Sequence, residues 1–257
     1  MLSAENISFK VESKYLLYES SIQFEKGQFH VVMGANGAGK STLLKLLAGD
    51  QKSSSGNIFF TGKDLKHFTK KQLATKRAVL SQHYNITFPI SVNDIVLMGR
   101  YPYFNNNPTA IDLSICKEAM HLMDVFDLRE RDYNTLSGGE AQKVQMSRVL
   151  SQIWGARQGD EKLLFLDEPV SHLDVKYQHQ LLKAAKALCS HHTTVIAILH
   201  DINLSIAYAD RILFMKNGKI LYDIKELSQI STGLISDVFD VSSTILYPEQ
   251  HKPVVIF

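Results

Sequence analysis

The sequence contains little cysteine and no long hydrophobic run, and each lack excludes a class of protein. Only two of its 257 residues are cysteines, Cys116 and Cys189, and both fall in apolar periodic segments without metal-ligand spacing. We therefore expect buried free thiols in a reducing compartment. The longer apolar runs, such as residues 195–199, are far below the ~20 residues that span a bilayer. No basic stretch followed by an apolar core opens the sequence, so we expect a cytoplasmic chain without a membrane span.

The sequence also has almost no excess of charge. Its 28 lysines and arginines against 26 aspartates and glutamates give a net charge of +2, which is too small to imply a nucleic-acid surface. The basic cluster around Lys70 and Arg77 is more typical of a solvated helix face. We therefore predict no nucleic-acid partner, and a single domain or one core with a lobe attached.

The order of apolar patterns predicts an α/β fold. Short strands rich in Ile, Val and Phe are predicted at residues 6–11, 21–25 and 28–33, before a glycine-rich turn and a helix at residues 41–48. Later strands at residues 163–166 and 194–199 flank a helix at residues 176–189, which is the pattern of a βαβ unit in a parallel sheet.

Two further segments complete the predicted organisation. Asn217 and Gly218 both tolerate positive φ and predict a hairpin between strands at residues 212–215 and 220–222. Residues 224–257 indicate short helices and an ordered tail.

Helical patterns dominate residues 83–153 and predict a helical lobe. Ser91 with Asp94, and Thr109 with Asp112, have the spacing of capping boxes. Apolar side chains then recur on one face of the second helix, and a stripe of this kind predicts core packing: Ile111, Ile115, Ala119, Met123 and Phe126.

Residues 34–41, GANGAGKS, fit the phosphate-loop pattern G-x-x-x-x-G-K-[ST] between a predicted strand and a predicted helix. Glycines let backbone amides turn toward phosphate oxygens, Lys40 can reach the β and γ phosphates, and Ser41 can hold Mg²⁺. A glycine turn that binds nothing is the alternative. The predicted nucleotide-binding residues are Gly34, Asn36, Gly37, Ala38, Gly39, Lys40, Ser41 and Thr42.

Two acids follow the buried strand predicted at residues 163–166. Asp167 suits Mg²⁺, directly or through water, and Glu168 is placed to polarise an attacking water. An acidic pair at a strand end can also be a helix cap, but the phosphate loop favours the catalytic reading.

Residues 136–140, LSGGE, decide which phosphate-loop class this is. A serine and two glycines at a helix N-terminus can form a second anion site that faces another molecule's phosphate, although a plain helix cap is the alternative. The segment resembles the signature motif of ABC ATPases, usually LSGGQ, with Glu140 in the last place. The resemblance implies that Ser137, Gly138 and Gly139 contact ATP in trans.

The resemblance extends to three further motifs in family order. Gln82, after a strand predicted at residues 78–81, is similar to the Q-loop glutamine. Residues 171–174, SHLD, are similar to the D-loop, with Asp174 in its last place, and His200 is similar to the switch histidine. The family's adenine-stacking aromatic corresponds to Val11, which leaves Tyr15 or Phe9 as alternatives. His172 and Val170 also depart from the family pattern.

Taken together, these similarities imply a set of roles. Catalysis falls to Glu168, His200, Lys40 and Gln82, and Mg²⁺ binding to Ser41, Gln82 and Asp167. The implied fold is a P-loop NTPase of ABC type, an α/β fold with a mixed sheet core, an antiparallel β subdomain and an inserted helical subdomain. Residues 1–82 and 155–257 would form the core, and residues 83–154 the helical subdomain with the signature motif.

A narrower resemblance is carried by residues 88–103, 131–140 and 148–154, which look like ATPase subunits of bacterial haemin importers. It implies a homodimer that uses ATP and Mg²⁺ at the cytoplasmic face of the inner membrane. Partners would be a transmembrane permease and, through it, a substrate-binding protein. A ferric siderophore or cobalamin is the alternative cargo. A soluble ABC protein acting on ribosomes or DNA is the alternative class, and a GTPase or small-molecule kinase would leave residues 136–140 unexplained.

Overall fold

The structure, a computed structural model, describes residues 1–82, 84, 86–154, 160–171, 173–189, 193–249 and 252–257. Its strands are β1 (Leu2–Val11), β2 (Lys14–Phe24), β3 (Phe29–Met33), β4 (Ser55–Phe60), β5 (Lys63–Asp64), β6 (Arg77–Leu80), β7 (Lys162–Asp167), β8 (Thr193–Ile198), β9 (Arg211–Lys216), β10 (Lys219–Ile224), β11 (Thr244–Leu246) and β12 (Val254–Ile256). Its α-helices are α1 (Lys40–Ala48), α2 (Lys70–Lys76), α3 (Val92–Leu97), α4 (Ala110–Leu122), α5 (Gly138–Ile153), α6 (Val175–Cys189), α7 (Ile202–Tyr208) and α8 (Thr232–Phe239). Short 3₁₀ turns lie at Leu65–His67, Met98–Arg100, Phe126–Leu128, Tyr133–Thr135 and Leu227–Gln229.

The chain divides into two units, residues 1–67 with 194–257, and residues 68–193. The first unit contains an antiparallel sheet in the order β2-β1-β4-β5 and a set of strands in the order β10-β9-β3-β8. Strand β3 pairs in parallel with both β8 and β9, whereas β9 and β10 are antiparallel. The predicted mixed sheet and antiparallel β subdomain are therefore confirmed. The predicted subdomain boundaries at residues 82/83 and 154/155 stay a prediction.

Strand β3 forms the centre of the first unit's core. All five of its residues are buried, as a strand with parallel neighbours on both sides requires. One of them is polar: His30 hydrogen-bonds through Nε2 to the main-chain oxygen of Glu25 at 3.0 Å. Burial lowers the pKa of His30 to about 4. This strand therefore carries a histidine that stays neutral at physiological pH.

The first two strands are longer than the sequence predicted. Strand β1 begins at Leu2 rather than at the predicted residue 6. Within it, Asn6 adopts φ +50° and the pairing with β2 shifts between Ala4 and Ile7. That irregularity breaks the two-residue alternation on which the prediction depended. Strand β2 begins at Lys14 rather than residue 21, since it is an edge strand with mostly exposed, polar residues.

The second unit combines a parallel strand pair with helices α2 to α6. Strands β6 and β7 pair with Leu80 opposite Leu166. The predicted cap at Thr109 is a full capping box with Asp112, and Ser91 accepts the amide of Asp94. The helical character predicted for this part of the chain is confirmed.

The apolar stripe predicted on α4 is correct for three residues and wrong for two. Ile115, Ala119 and Met123 are buried, but Ile111 is 70% exposed and Phe126 is half-buried in a separate 3₁₀ turn. The first turn of α4 instead buries Asp112, whose Oδ1 accepts a 2.9 Å hydrogen bond from Nε of buried Arg100. This ion pair orients the helix start, and so Ile111 faces away from the core.

Other parts of the chain bear on the remaining predictions. Cys116 and Cys189 are buried and free, and burial raises the pKa of Cys116 to about 11. Among the helices of the described residues, none is both long enough and apolar enough to cross a bilayer. The tail contains the expected short helices, but also a hairpin of β11 and β12 that the sequence did not predict.

Candidate functional site

The loop between β3 and α1 is built on glycines. Gly34, Gly37 and Gly39 have φ of +149°, +78° and +96°. A Cβ on Gly34 would lie 2.1 Å from the carbonyl oxygen of Met215, and one on Gly39 would lie 2.6 Å from that of Leu16. A Cβ on Gly37 would meet nothing within 4 Å. The loop is thus packed on main chain at both ends and open in its middle, which fits a cradle for phosphate.

Helix α1 starts directly from this loop. Its N-cap is Gly39, and among the residues that the structure describes no side chain caps it. Its first turn, Lys40, Ser41 and Thr42, contains no acid. The positive end of the helix dipole and its first amides therefore lie at the loop, and the first turn itself supplies no acid that would compete with a bound anion.

Lys40 lies within the phosphate loop. It is 5% exposed, and its Nζ donates to the carbonyl oxygens of Gly34 at 2.9 Å and Ala35 at 3.0 Å. Asn36 and Gly37 form the exposed crest of the loop. The ammonium is consequently held against the main chain of the loop, where it can stabilise phosphate charge.

The hairpin predicted from Asn217 and Gly218 supports the phosphate loop. These residues have φ of +50° and +76°, as a hairpin turn of this type needs. The amide of Gly218 donates to the carbonyl of Ala38 at 3.0 Å, and its carbonyl accepts from the amide of Tyr18 at 2.8 Å. The sequence predicted the turn but not its hydrogen bonds to the phosphate loop and to β2.

His200 follows β8 by two residues. Because β3 and β8 are parallel neighbours, with Val32 opposite Ile198, His200 and the phosphate loop both follow the carboxyl ends of adjacent strands. His200 is exposed, and the next residue, Asp201, caps α7 through the amides of Asn203 and Leu204. The first unit thus brings the switch-histidine candidate to the edge where the phosphate loop lies.

In the second unit, the structure brings Gln82 and Glu168 together. They follow β6 and β7, which are parallel neighbours, and Gln82 Nε2 donates to Glu168 Oε2 at 2.8 Å. Asp167, the last residue of β7, is 6% exposed. Glu168 adopts φ +52°, a left-handed conformation that is uncommon outside glycine. Such outliers often occur at functional sites.

The signature segment forms the start of α5. Ser137 is the N-cap, and its main-chain amide and hydroxyl donate to Glu140 Oε2 at 2.8 and 2.7 Å. These two donors lower the pKa of Glu140. A Cβ on Gly138 would meet nothing within 4 Å. The helix start is open on one side, as a site for a second molecule's phosphate would be, but it includes a carboxylate.

Two residues of the segment predicted to be the D-loop, residues 171–174, take structural positions around α6 and Glu168. The carboxylate of Asp174 accepts a hydrogen bond from the amide of Tyr177 at 3.0 Å, and its carbonyl accepts one from the amide of Gln178 at 2.9 Å, so Asp174 caps the start of α6. The hydroxyl of Ser171 donates to the carbonyl of Glu168 at 2.9 Å. His172 lies outside the described residues.

The candidates for adenine stacking lie on the first hairpin. Val11 is 50% exposed at the end of β1, Tyr15 is 44% exposed on β2, and Phe9 is half-buried. Tyr15 stacks on Tyr18 with ring centroids 5.1 Å apart. The amide of Tyr18 donates to the hairpin turn that supports the phosphate loop, so this aromatic pair lies beside the phosphate loop.

The predicted Mg²⁺ ligands have suitable chemistry. Ser41, Gln82 and Asp167 offer a hydroxyl, an amide and a carboxylate, the hard oxygen donors that Mg²⁺ prefers. Sequence reasoning missed Gln142, whose side chain contacts the main chain at Glu168. A polar residue on an amphipathic helix gives no sequence signal for such a contact.

Comparison with known proteins agrees with these motifs. The model of a family described as ABC transporter matches residues 17–171. The chain is 37% identical over 257 residues to the hemin import ATP-binding protein HmuV of Hahella chejuensis, with 100% of this chain and 99% of that protein covered. It is 41% identical over 221 residues to the protein of the same name from Gloeobacter violaceus, with 86% and 80% covered.

Solved structures share the fold. A metal-chelate type ABC transporter in an inward-facing conformation matches with a TM-score of 0.80 at 25% identity, with 99% of this chain and 95% of that chain covered. A dimeric ATP-binding cassette bound to ADP and phosphate matches with a TM-score of 0.76 at 22% identity, with 88% and 98% covered. The predicted fold class is confirmed, and the chain belongs to the ABC transporter family, as one of its ATPases.

Proposed function

We propose that this ATPase energises a bacterial importer of haemin, as a homodimer bound to a transmembrane permease at the cytoplasmic face of the inner membrane. The observation that carries the cargo is the near full-length similarity to hemin import proteins, at 37% identity over 257 residues in one case. A substrate-binding protein would deliver haemin to the permease.

The phosphate loop supports the nucleotide-binding role in this proposal. Backbone amides of residues 34–39 and the first turn of α1 would hold the phosphates, while Lys40 neutralises charge on the β and γ groups. Ser41 and Asp167, with Gln82, would hold Mg²⁺, which supplies positive charge to the transferring phosphoryl group when bound. Tyr15 would stack on the adenine ring, because it exposes an aromatic face next to the cradle.

Glu168 supports the catalytic role. Its carboxylate would accept a proton from the attacking water, and the 2.8 Å hydrogen bond from Gln82 fixes the orientation of that carboxylate. His200 would contact the γ phosphate. Because Gln82 touches the base directly, a displacement of the segment that follows β6 would change the orientation of Glu168.

The open start of α5 supports a shared nucleotide site. Ser137, Gly138 and Gly139 would bind the γ phosphate held by the other protomer, and Asp174 would lie at the dimer contact. ATP would then close the dimer and hydrolysis would reopen it, which gives a mechanical output to the permease.

The cargo is tested by reconstituting the chain in proteoliposomes with a candidate permease and its substrate-binding protein. We expect haemin-loaded binding protein to raise the ATPase rate, and Lys40→Ala to abolish both basal and stimulated rates. If a binding protein loaded with a ferric siderophore or cobalamin raised the ATPase rate and haemin did not, haemin would be the wrong cargo. Copurification with nucleic acid and with no permease would contradict an importer.

A further inference from the structure

We propose that Gln142 is a positioning residue that fixes the main chain of Glu168 and links it to the signature helix. This inference rests on the proposed role of Glu168 as the base. The side-chain Nε2 of Gln142 donates to the carbonyl oxygen of Pro169 at 2.5 Å and to that of Glu168 at 3.3 Å. Both acceptors belong to the peptide units that directly follow the base.

The main chain at Glu168 needs such support. Its φ of +52° is rarely adopted by residues with a side chain, and a backbone of this kind persists only where its surroundings fix it. The carbonyl of Glu168 also accepts the hydroxyl of Ser171 at 2.9 Å and its amide at 3.3 Å. Gln142 therefore supplies this main chain with a donor from α5.

Gln142 lies near the start of α5, where the proposed trans phosphate would bind. Gly138 begins the helix, and Gln142 lies four residues further, or ~6 Å along the axis at ~1.5 Å per residue. An α-helix moves as a stiff body over one turn. A phosphate that engages the helix start would therefore act about one turn away from the contact with the carbonyl of Glu168.

Gln82 and Gln142 both contact Glu168 and are neighbours in the same cleft. They line one small cleft of about 120 Å³, together with Tyr84, Gly138 and Gln145. Gln82 holds the carboxylate of Glu168, and Gln142 holds its main chain. The geometry of the base thus depends on two glutamines, one after β6 and one on the signature helix.

Another glutamine on α5 serves as a matched control for a purely structural role of Gln142. Gln152, also on α5 and half-buried, donates through Nε2 to the carbonyls of Ala74 at 2.8 Å and Arg77 at 3.0 Å. It makes the same kind of double contact, but not to Glu168. If glutamine-to-carbonyl contacts only stabilise the fold, Gln142→Met and Gln152→Met should behave alike.

The experiment measures single-turnover ATP hydrolysis and ATP affinity in the full-length chain. We expect Gln142→Met to slow hydrolysis about ten-fold or more with unchanged ATP affinity, since a ~1 Å misplacement can cost ~10²-fold in rate. Gln152→Met should change the rate of hydrolysis by less than about two-fold, because its contacts do not reach Glu168. Gln142→Lys, which keeps a donor, should recover most of the rate.

A double-mutant cycle separates this inference from the proposed base. In a Glu168→Gln background, Gln142→Met should cost less than about two-fold, because the group through which it acts is already lost. An equal loss in both backgrounds, or an equal effect of Gln152→Met, would overturn the positioning role. If Glu168→Gln itself hydrolyses ATP at the normal rate, the proposed base is wrong. If Glu168→Gln is slow but Gln142→Met is not, only the positioning role is wrong.

Discussion

At the residue scale, Glu168 is held both at its carboxylate and at its main chain. Gln82 contacts the carboxylate, Ser171 and Gln142 contact the carbonyl, and the residue keeps a left-handed φ of +52°. A group held this firmly suits a base that must meet one water molecule at a fixed angle.

Glu168→Gln should lower steady-state ATP turnover about 100-fold or more while ATP still binds. An amide cannot accept the proton of the attacking water, and a positioned base typically contributes ~10²–10⁴-fold. The measurement is phosphate release beside equilibrium nucleotide binding. Glu130→Gln, which changes a side chain that is 82% exposed, is the control and should be silent. Normal turnover of the Glu168 variant would remove this residue from the mechanism.

Glu140→Gln should lower the ATP concentration needed for half-maximal turnover. The carboxylate of Glu140 accepts a hydrogen bond from the hydroxyl of Ser137 at 2.7 Å, and the proposed trans phosphate would bind at the same place. Repulsion between two such charges at ~4 Å is about 1 kcal/mol in water, so we expect a shift of about five-fold. Glutamine at this position can keep the capping box. A higher requirement for ATP would show that the carboxylate assists binding instead.

At the element scale, loop-to-helix and strand-to-acid junctions were the parts best predicted from the sequence. The phosphate loop lies between β3 and α1 and the acids end β7, because glycine conformation and buried apolar runs are local properties. The contact of Gln142 with Glu168 joins residues 26 apart in sequence, and no local pattern encodes it. The exposed Ile111 was mispredicted because the ion pair of Arg100 with Asp112 determines how α4 begins.

Strand β3 makes stability depend on pH through His30. The buried histidine takes up a proton near pH 4, whereas an unfolded one does so near 6.5, so the unfolded state binds more protons between these values. The free energy of unfolding should therefore fall as pH falls from 6.5 to 4. At pH 5, His30 should lower the free energy of unfolding by about 2 kcal/mol relative to neutral pH.

His30→Leu should lack this part of the pH dependence. Denaturant unfolding at pH 7.5 and pH 5 measures it, and the loss between the two should be about 2 kcal/mol smaller in the variant than in the wild type. His67→Leu, at an exposed position, is the control. Identical pH dependence of His30→Leu and the wild type would mean that this histidine does not contribute to acid sensitivity.

At the scale of the whole molecule, the proposal requires two copies to share ATP. The phosphate loop and the start of α5 each have the form of an anion site, with glycines at the approach and a helix N-terminus behind them. Two such sites in one chain are explained if each binds phosphate from a different protomer's nucleotide.

The molecular mass of Glu168→Gln in solution, with and without ATP, tests this most directly. We expect a monomer of 29.0 kDa to become a dimer when ATP and Mg²⁺ are added, and the dimer to persist because hydrolysis is blocked. Adding Ser137→Arg should keep the chain monomeric with ATP bound, since a bulky side chain would fill the trans site. A dimer that forms equally well with the arginine would contradict a nucleotide shared between signature helix and phosphate loop.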